Sequence, residues 1–444
     1  MQRFRMLRRA QAPGLVPPPE SVDAGGSHVL AVQSSELIDG PTAGRLAAGR
    51  ARPAIFGRAA LILTALLVVS WLVQPTQPLF AGAEAYCSGP SMVRQAFANG
   101  SVWSFCWEVR AHEGLRISHA FFQPKGGPER RVLWSANLAE VFTVYDPGQP
   151  RDTDASYGMG AGTIPLSTDD CPPAGAPEER TLLQAVPPGD IAMAPIVCRE
   201  LVDRGVATKL NTFVQRGQEI AVWASHQVGN YNYIVRWVFS DDGSFSPQVG
   251  ATGTLLTLAP HVHNVYFRLD FDLGGTADNV VETYARTATA PSAVSSWTPI
   301  GTEGQFSLDP ATFRTWRVRN TAVTNGNERS ISYELVPDGG GQFRGVPGAD
   351  GEPFAQADFW VTRYKPCEQF AIMNRHSTLD PACGDNLGDY ISPPESLAGS
   401  DVVVWYAAHW HHEPRDEDLP NMPIHWMTLR VEPRDFLDRS PFGQ

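Results

Sequence analysis

The sequence predicts a mainly β protein. Glycine and proline supply 40 and 37 of the 444 residues while only 18% are charged, a mixture that suits many short strands joined by turns better than a helical bundle. Alternating apolar and polar runs recur from Tyr86 onward, among them SVWSFCWEV, GLRISHAFF, EIAVWAS, YIVRWVF, VYFRLDFDL, DFWVTRY and DVVVWYAA, bounded by Gly, Pro, Asp or Asn. With 43% hydrophobic and 10% aromatic residues the chain can bury a large core, which excludes disorder throughout. The runs read as strands of one extended sheet system, with long irregular connections at 146–190, 284–308 and 336–354.

Taken in chain order, residues 1–54 are rich in Ala, Gly, Pro and Arg without periodicity and read as a disordered cytoplasmic tail. Residues 55–80 hold an almost wholly apolar run, 59–73, with no charge between Arg58 and Glu84; this is a membrane anchor, or a signal segment with small residues at Ala81, Gly82 and Ala83. The chain up to Arg58 carries eight arginines and four acids, net +4, which leaves −16 for the remainder of a chain whose total is −12. Arginines before the apolar run and few basic residues after it place the bulk of the chain outside the cytoplasm. The acidic balance argues against nucleic acid as a partner. All six cysteines follow the apolar run, an even number on the side where disulfides persist. They fall into three neighbouring pairs along the sequence, and neighbour pairing is expected. None has CxxC spacing, which leaves metal chemistry to histidine.

His261-Val262-His263 sits in a strand-like run, so both imidazoles project from one face within reach of one metal ion. A second group, His409, His411 and His412, lies about 150 residues later, and three imidazoles suit zinc or copper equally well. The residue types alone choose neither the metal nor the third histidine.

Three further segments bear on that choice. Residues 230–233 read Asn230-Tyr231-Asn232-Tyr233, followed by Trp237-Val238-Phe239 and a glycine-containing turn. Tyr266-Phe267-Arg268-Leu269-Asp270 follows the histidine pair. After His412 comes Glu413-Pro414-Arg415-Asp416-Glu417-Asp418-Leu419-Pro420-Asn421-Met422-Pro423. In order and spacing these segments resemble the copper amine oxidases, from about residue 100 to the C-terminus. The resemblance implies a large antiparallel β-sandwich (super-sandwich) catalytic domain over 84–444. It implies that Tyr231, within a motif that starts at Asn230, is oxidised in place to topaquinone, with His261, His263 and His412 as copper ligands. Tyr145 matches a family tyrosine that hydrogen-bonds the cofactor. A second site for calcium or another hard divalent cation is implied at Asp270 with the Phe271 carbonyl and Asp401 with Val402.

The catalytic base transfers less directly. The family's FDxGE(Y/F) segment is represented only by Arg151-Asp152-Thr153-Asp154-Ala155-Ser156-Tyr157-Gly158-Met159-Gly160, which is shorter and lacks the Gly-Glu. Aligning Tyr157 and Gly160 makes Asp154 the base, with Asp152 second. Cys171 and Cys198 fall where the family has a disulfide. Asn232 replaces an acidic residue, which the resemblance reads as a charge lost near the quinone. The family's preceding smaller α/β domains have no counterpart. The activity implied is oxidation of a primary amine by dioxygen to aldehyde, ammonia and hydrogen peroxide, in a homodimer. Two rival readings stand beside it: a catalytically silent copper-binding β-sandwich protein outside the cytoplasm, and a three-histidine zinc hydrolase, which leaves the Asn-Tyr-Asn-Tyr segment without a role.

Overall fold

The structure, a computed structural model, describes residues 82–145, 151–176, 178–286, 296–337 and 352–443; the tail and the apolar run 55–80 lie outside them. Nineteen strands are described, which run in chain order as β1 Met92–Ala96, β2 Val102–Arg110, β3 Gly114–Gln123, β4 Arg130–Tyr145, β5 Arg151–Thr153, β6 Glu179–Ala185, β7 Ala194–Leu210, β8 Phe213–Val228, β9 Tyr231–Ser240 and β10 Phe245–Gly253. They continue as β11 His261–Phe271, β12 Asn279–Ala285, β13 Ser296–Pro299, β14 Gly304–Phe306, β15 Thr315–Thr324, β16 Ser330–Pro337, β17 Phe359–Arg363, β18 Val402–His412 and β19 Met422–Arg434. The helices are short: α1 Asp154–Tyr157, α2 Asn374–Thr378 and α3 Leu387–Tyr390.

The strands form two sheets, as the β-sandwich implied by the resemblance requires. The first has the order β1-β2-β3-β4-β11-β18-β17-β14 with β5 paired to β4, and the second β13-β12-β15-β16-β19-β10-β9-β8-β7-β6. Period-2 alternation marks a strand but does not say which sheet it joins, so the runs taken alone read as one sheet system. Two of the expected irregular connections also carry strands, β5 and β6 within 146–190 and β13 and β14 within 284–308. Among the described residues no helix is long and apolar enough to cross a membrane.

β9 shows how the sequence sets a face. Tyr231, Tyr233, Val235, Trp237 and Phe239 alternate inward and are buried, while Asn232, Ile234 and Arg236 point the other way. The inward residues meet the first sheet: Phe239 packs on Trp103 and Phe105 of β2 at ring-centroid distances of 4.9 and 4.4 Å. Indole N–H groups join the layers, Trp103 donating to the Ser240 carbonyl at 2.8 Å and Trp237 to the Leu115 carbonyl at 3.1 Å, so neither ring is buried with an unmet donor. β11 is buried at all eleven positions, because a second apolar cluster covers its other face: Phe142, Tyr266, Phe354, Trp360, Tyr390 and Trp405. A strand covered on both faces loses the alternation that would mark it.

The six cysteines pair as Cys87–Cys106, Cys171–Cys198 and Cys367–Cys383, as the neighbour rule expects.

Candidate metal centre and redox site

Register brings the site together at one end of the sandwich. His261, the first residue of β11, lies opposite Tyr145, the last of β4, and opposite His412, the last of β18. Tyr231 opens β9 after the Gly229-Asn230 turn and faces Gly253 of β10. That glycine is required: its φ is +113°, and a Cβ there would lie 2.5 Å from the Asn230 carbonyl oxygen and 3.1 Å from the Tyr231 Cα.

One coordinating nitrogen from each of His261, His263 and His412 lies within 4.8 Å of the other two, and all three residues are buried. Their other nitrogens fix the tautomers. His261 Nδ1 donates to the Ala259 carbonyl at 2.9 Å, which leaves Nε2 as a lone pair. His412 Nε2 donates to Asp418 Oδ2 at 3.1 Å, which leaves Nδ1. The two free nitrogens face each other at 3.1 Å, lone pair to lone pair, an arrangement that a cation between them relieves. His263 Nδ1 lies 3.2 Å from Thr143 Oγ1 and 3.3 Å from Tyr233 Oη, while its buried Nε2 has no hydrogen-bond partner among the described residues. An orphaned buried nitrogen needs an explanation, and a metal ion bound by three imidazoles whose outer N–H groups are already oriented supplies one. Burial lowers the His261 pKa to about 4, His263 well below its ordinary value, and His412 also, so all three are neutral ligands at physiological pH.

Asp418 was not singled out in the sequence, although it lies in the Pro-Arg-Asp-Glu-Asp run. Burial pushes its pKa up, but the Arg415 amide and guanidinium and His412 outweigh that and hold it at about 2, a fixed anion that orients His412.

The Tyr231 hydroxyl is 3.2 Å from His261 Nε2, so the tyrosine borders the metal-binding nitrogens. Tyr145 lies against His261 with ring centroids 4.8 Å apart and the planes tilted by 33°, and its hydroxyl is close enough to Tyr231 for each to shift the other's titration. Asp154 is the first residue of α1 and faces Tyr233, which lowers its pKa slightly. Burial, and then the adjacent Asp152, push its pKa up to about 7. Asp152 is half-buried on β5, and burial raises its pKa too. Asn230 sits exposed in the turn, its carbonyl accepting from the Thr254 amide at 2.9 Å.

These parts match known proteins. Residues 95–260 and 257–444 match the family described as copper amine oxidase, enzyme domain. The chain belongs to the copper amine oxidase family. A primary amine oxidase of Klebsiella aerogenes is 27% identical over 405 residues, covering 76% of this chain and 52% of that protein. A histamine oxidase of Arthrobacter globiformis is 25% identical over 409 residues, covering 80% and 58%. The crystal structure of a copper-containing benzylamine oxidase from Hansenula polymorpha shares the fold with a TM-score of 0.64 at 23% identity, over 83% of this chain and 64% of that one. The chain spans about half the length of the curated relatives it matches.

Within this copper amine oxidase fold, Asp401 feels the charges of Asp270 and Asp272, while Asp270 is paired with Arg268 and Asp272 with Arg131. Each of the three aspartates has one buried carboxylate oxygen without a hydrogen-bond partner among the described residues. Burial raises Asp270 to about 6 and Asp401 to about 7, the latter helped by Asp270 and Asp272. Phe271 and Val402 are buried beside them. Asp272 was missed although it stands two residues after Asp270, the spacing that places two side chains on one strand face.

Asn232, where the resemblance reads a lost charge, follows Tyr231 directly on β9. Asn232 alternates away from Tyr231 and lines an outer groove with Ile234, Arg236 and Trp426, so its side chain is on the opposite face of the strand from that ring. Trp410 was also missed. It stacks on His263, His412 and His425 at 5.2, 4.2 and 4.1 Å, within 17° of parallel in each case, and so backs two of the three imidazoles of the candidate metal site.

Proposed function

We propose that this chain is a copper-dependent oxidase of primary amines, converting an amine, dioxygen and water to an aldehyde, ammonia and hydrogen peroxide. The observation that carries the reading is the orphaned Nε2 of His263 beside the opposed lone pairs of His261 and His412, with the Tyr231 hydroxyl 3.2 Å from His261. His261, His263 and His412 would hold copper, and Tyr231 would be the residue oxidised to topaquinone. Together the metal and the quinone supply an electrophilic carbonyl for the amine and a route for two electrons to dioxygen. Asp154 takes the substrate's α-proton on its carboxylate, for which a pKa near 7 suits neutral pH. The Tyr145 hydroxyl holds the oxygen of residue 231 and so fixes the ring. Asp154 is half-buried, and the segment 159–162 after its helix packs on the turn between β2 and β3, where Gly160 is needed because a Cβ would fall 1.8 Å from the Arg110 carbonyl oxygen.

A hard divalent cation such as calcium is proposed at Asp270, Asp272 and Asp401, with the Phe271 and Val402 carbonyls, on the strength of the unpartnered carboxylate oxygens. Residues 84–444 would form the catalytic domain, held outside the cytoplasm by an anchor at 55–80 behind a cytoplasmic tail; the three disulfides agree with that compartment. A homodimer is proposed, to be read from sedimentation of the purified chain. The rival silent copper protein rests on two marks, Asn232, whose side chain lies on the face of β9 opposite Tyr231, and the shortened loop that carries Asp154.

The test is substitution at the tyrosine. Tyr231→Phe should keep copper bound and abolish both the phenylhydrazine adduct and amine oxidation; retained oxidation would overturn the assignment.

A further inference from the structure

A fully buried carboxylate outside the groups used so far lies one layer behind the base. Glu140 has no exposed surface and stands in the apolar run Leu138-Ala139-Glu140-Val141-Phe142 of β4. Burying an acid there is costly unless its oxygens are satisfied, and three backbone amides satisfy them: Ala155 at 2.7 Å, Val141 at 3.0 Å and Ser156 at 3.3 Å. Two of the three belong to α1, whose first residue is Asp154. The strand is shaped for this contact. Tyr266 pairs with Glu140 but Phe267 pairs with Leu138, so Ala139 is an extra residue in a bulge, a device that re-aims a neighbouring side chain.

Helix α1 lacks a cap of its own. It is four residues long, and the Thr153 side chain before it makes no capping bond, so the amides of Ala155 and Ser156 would be unmet without Glu140. His112, whose Nδ1 lies 2.9 Å from the Ser156 carbonyl, holds the other side. We propose that Glu140 is a positioning residue for amine oxidation: through the amides of Ala155 and Ser156 it fixes the helix that carries the base Asp154. This rests on the reading of Asp154 as the base. The titratable groups facing Glu140 are Asp154 and Tyr266.

The experiment uses the full chain loaded with copper in air. Quinone content is titrated with phenylhydrazine, and the quinone's bleaching by benzylamine under anaerobic conditions is followed by stopped flow, with ordinary and α,α-dideuterated amine. Glu140→Ala should form the quinone and keep the copper EPR spectrum, yet bleach about tenfold or more slowly per quinone with a larger isotope effect, since displacement of a catalytic group by about 1 Å costs on the order of 100-fold. Reoxidation by dioxygen should keep its rate, and Glu140→Gln, which retains an acceptor, should recover most of the bleaching. Bleaching of Glu140→Ala at the unsubstituted rate overturns the proposal. If Glu140→Ala yields no folded protein, Glu140→Asp, one methylene shorter, is read by the same two outcomes. Asp154→Asn separates the layers: stalled bleaching in Asp154→Asn with normal bleaching in the Glu140 variants sinks this inference alone, whereas normal bleaching in Asp154→Asn sinks the base assignment beneath it.

Discussion

The Asp154 carboxyl is pushed up to about 7 by burial and by Asp152 beside it, and a carboxylate takes a proton only once it is ionised. The fraction ready to act is therefore about one half at pH 7, about one tenth at pH 6 and about one hundredth at pH 5, so kcat should fall tenfold per unit on the acid side with its limb near 7. An Asp at its ordinary value of 3.8 would put that limb about three units lower. Asp152→Asn removes the neighbouring repulsion and should move the limb to lower pH while preserving the plateau. Asp154→Asn should lower kcat by about 100- to 10,000-fold, the usual worth of a general base. The assay is peroxide release with saturating amine between pH 5 and 9, normalised to quinone. An acid limb near 4 in the unsubstituted enzyme, or one that Asp152→Asn leaves in place, would refute this reasoning.

Other expectations are as direct. His263→Ala should lose copper and the quinone together, measured by metal analysis and the phenylhydrazine adduct, because no other nitrogen of the trio replaces its Nε2. Gly253→Ala forces a side chain to φ +113° and against the Asn230 carbonyl; it should destabilise by more than about 1 kcal/mol and depress quinone yield, read by thermal melting and adduct titration. Replacing Cys171 and Cys198 by serine opens a bridge spanning 27 residues and should cost about 2–5 kcal/mol in denaturant unfolding. Burial raises Glu140 from 4.5 to about 8, so the protonated form is favoured in the fold, and its stabilising contribution is complete below pH 4.5 and lost as pH climbs toward 8. Glu140→Gln should therefore gain in Tm against the unsubstituted chain between pH 5 and 8; a constant difference would contradict the assignment.

Much of the site was legible because it is built from strand ends. The His261/His263 spacing gave a shared face, and the Pro-Arg run after His412 chose it over His409 and His411. His409 instead bonds Asn264 at 2.6 Å and Asp358 at 3.1 Å, a buried polar network away from the trio. What the sequence hid depends on contacts across long separations. Asp418 becomes legible only when His412 turns its Nε2 toward it, and Glu140 only when α1 folds back over β4, since an acid in an apolar run has no visible partner. The face of Asn232 was readable from alternation alone: its neighbours Tyr231 and Tyr233 both point inward, so it points out. The division into two sheets was readable only through the resemblance and not from alternation, because pairing partners are chosen by register and packing rather than by period.

The most direct test of the central claim starts from the chain prepared without metal. Copper is added under air and then, separately, under argon, while the visible spectrum and the phenylhydrazine adduct are followed and the modified peptide is mapped. A quinone band that needs both copper and dioxygen and maps to Tyr231 is the result predicted here. Stoichiometric copper bound at the three histidines with Tyr231 unmodified in air would contradict it and leave a copper-binding protein without amine oxidase chemistry.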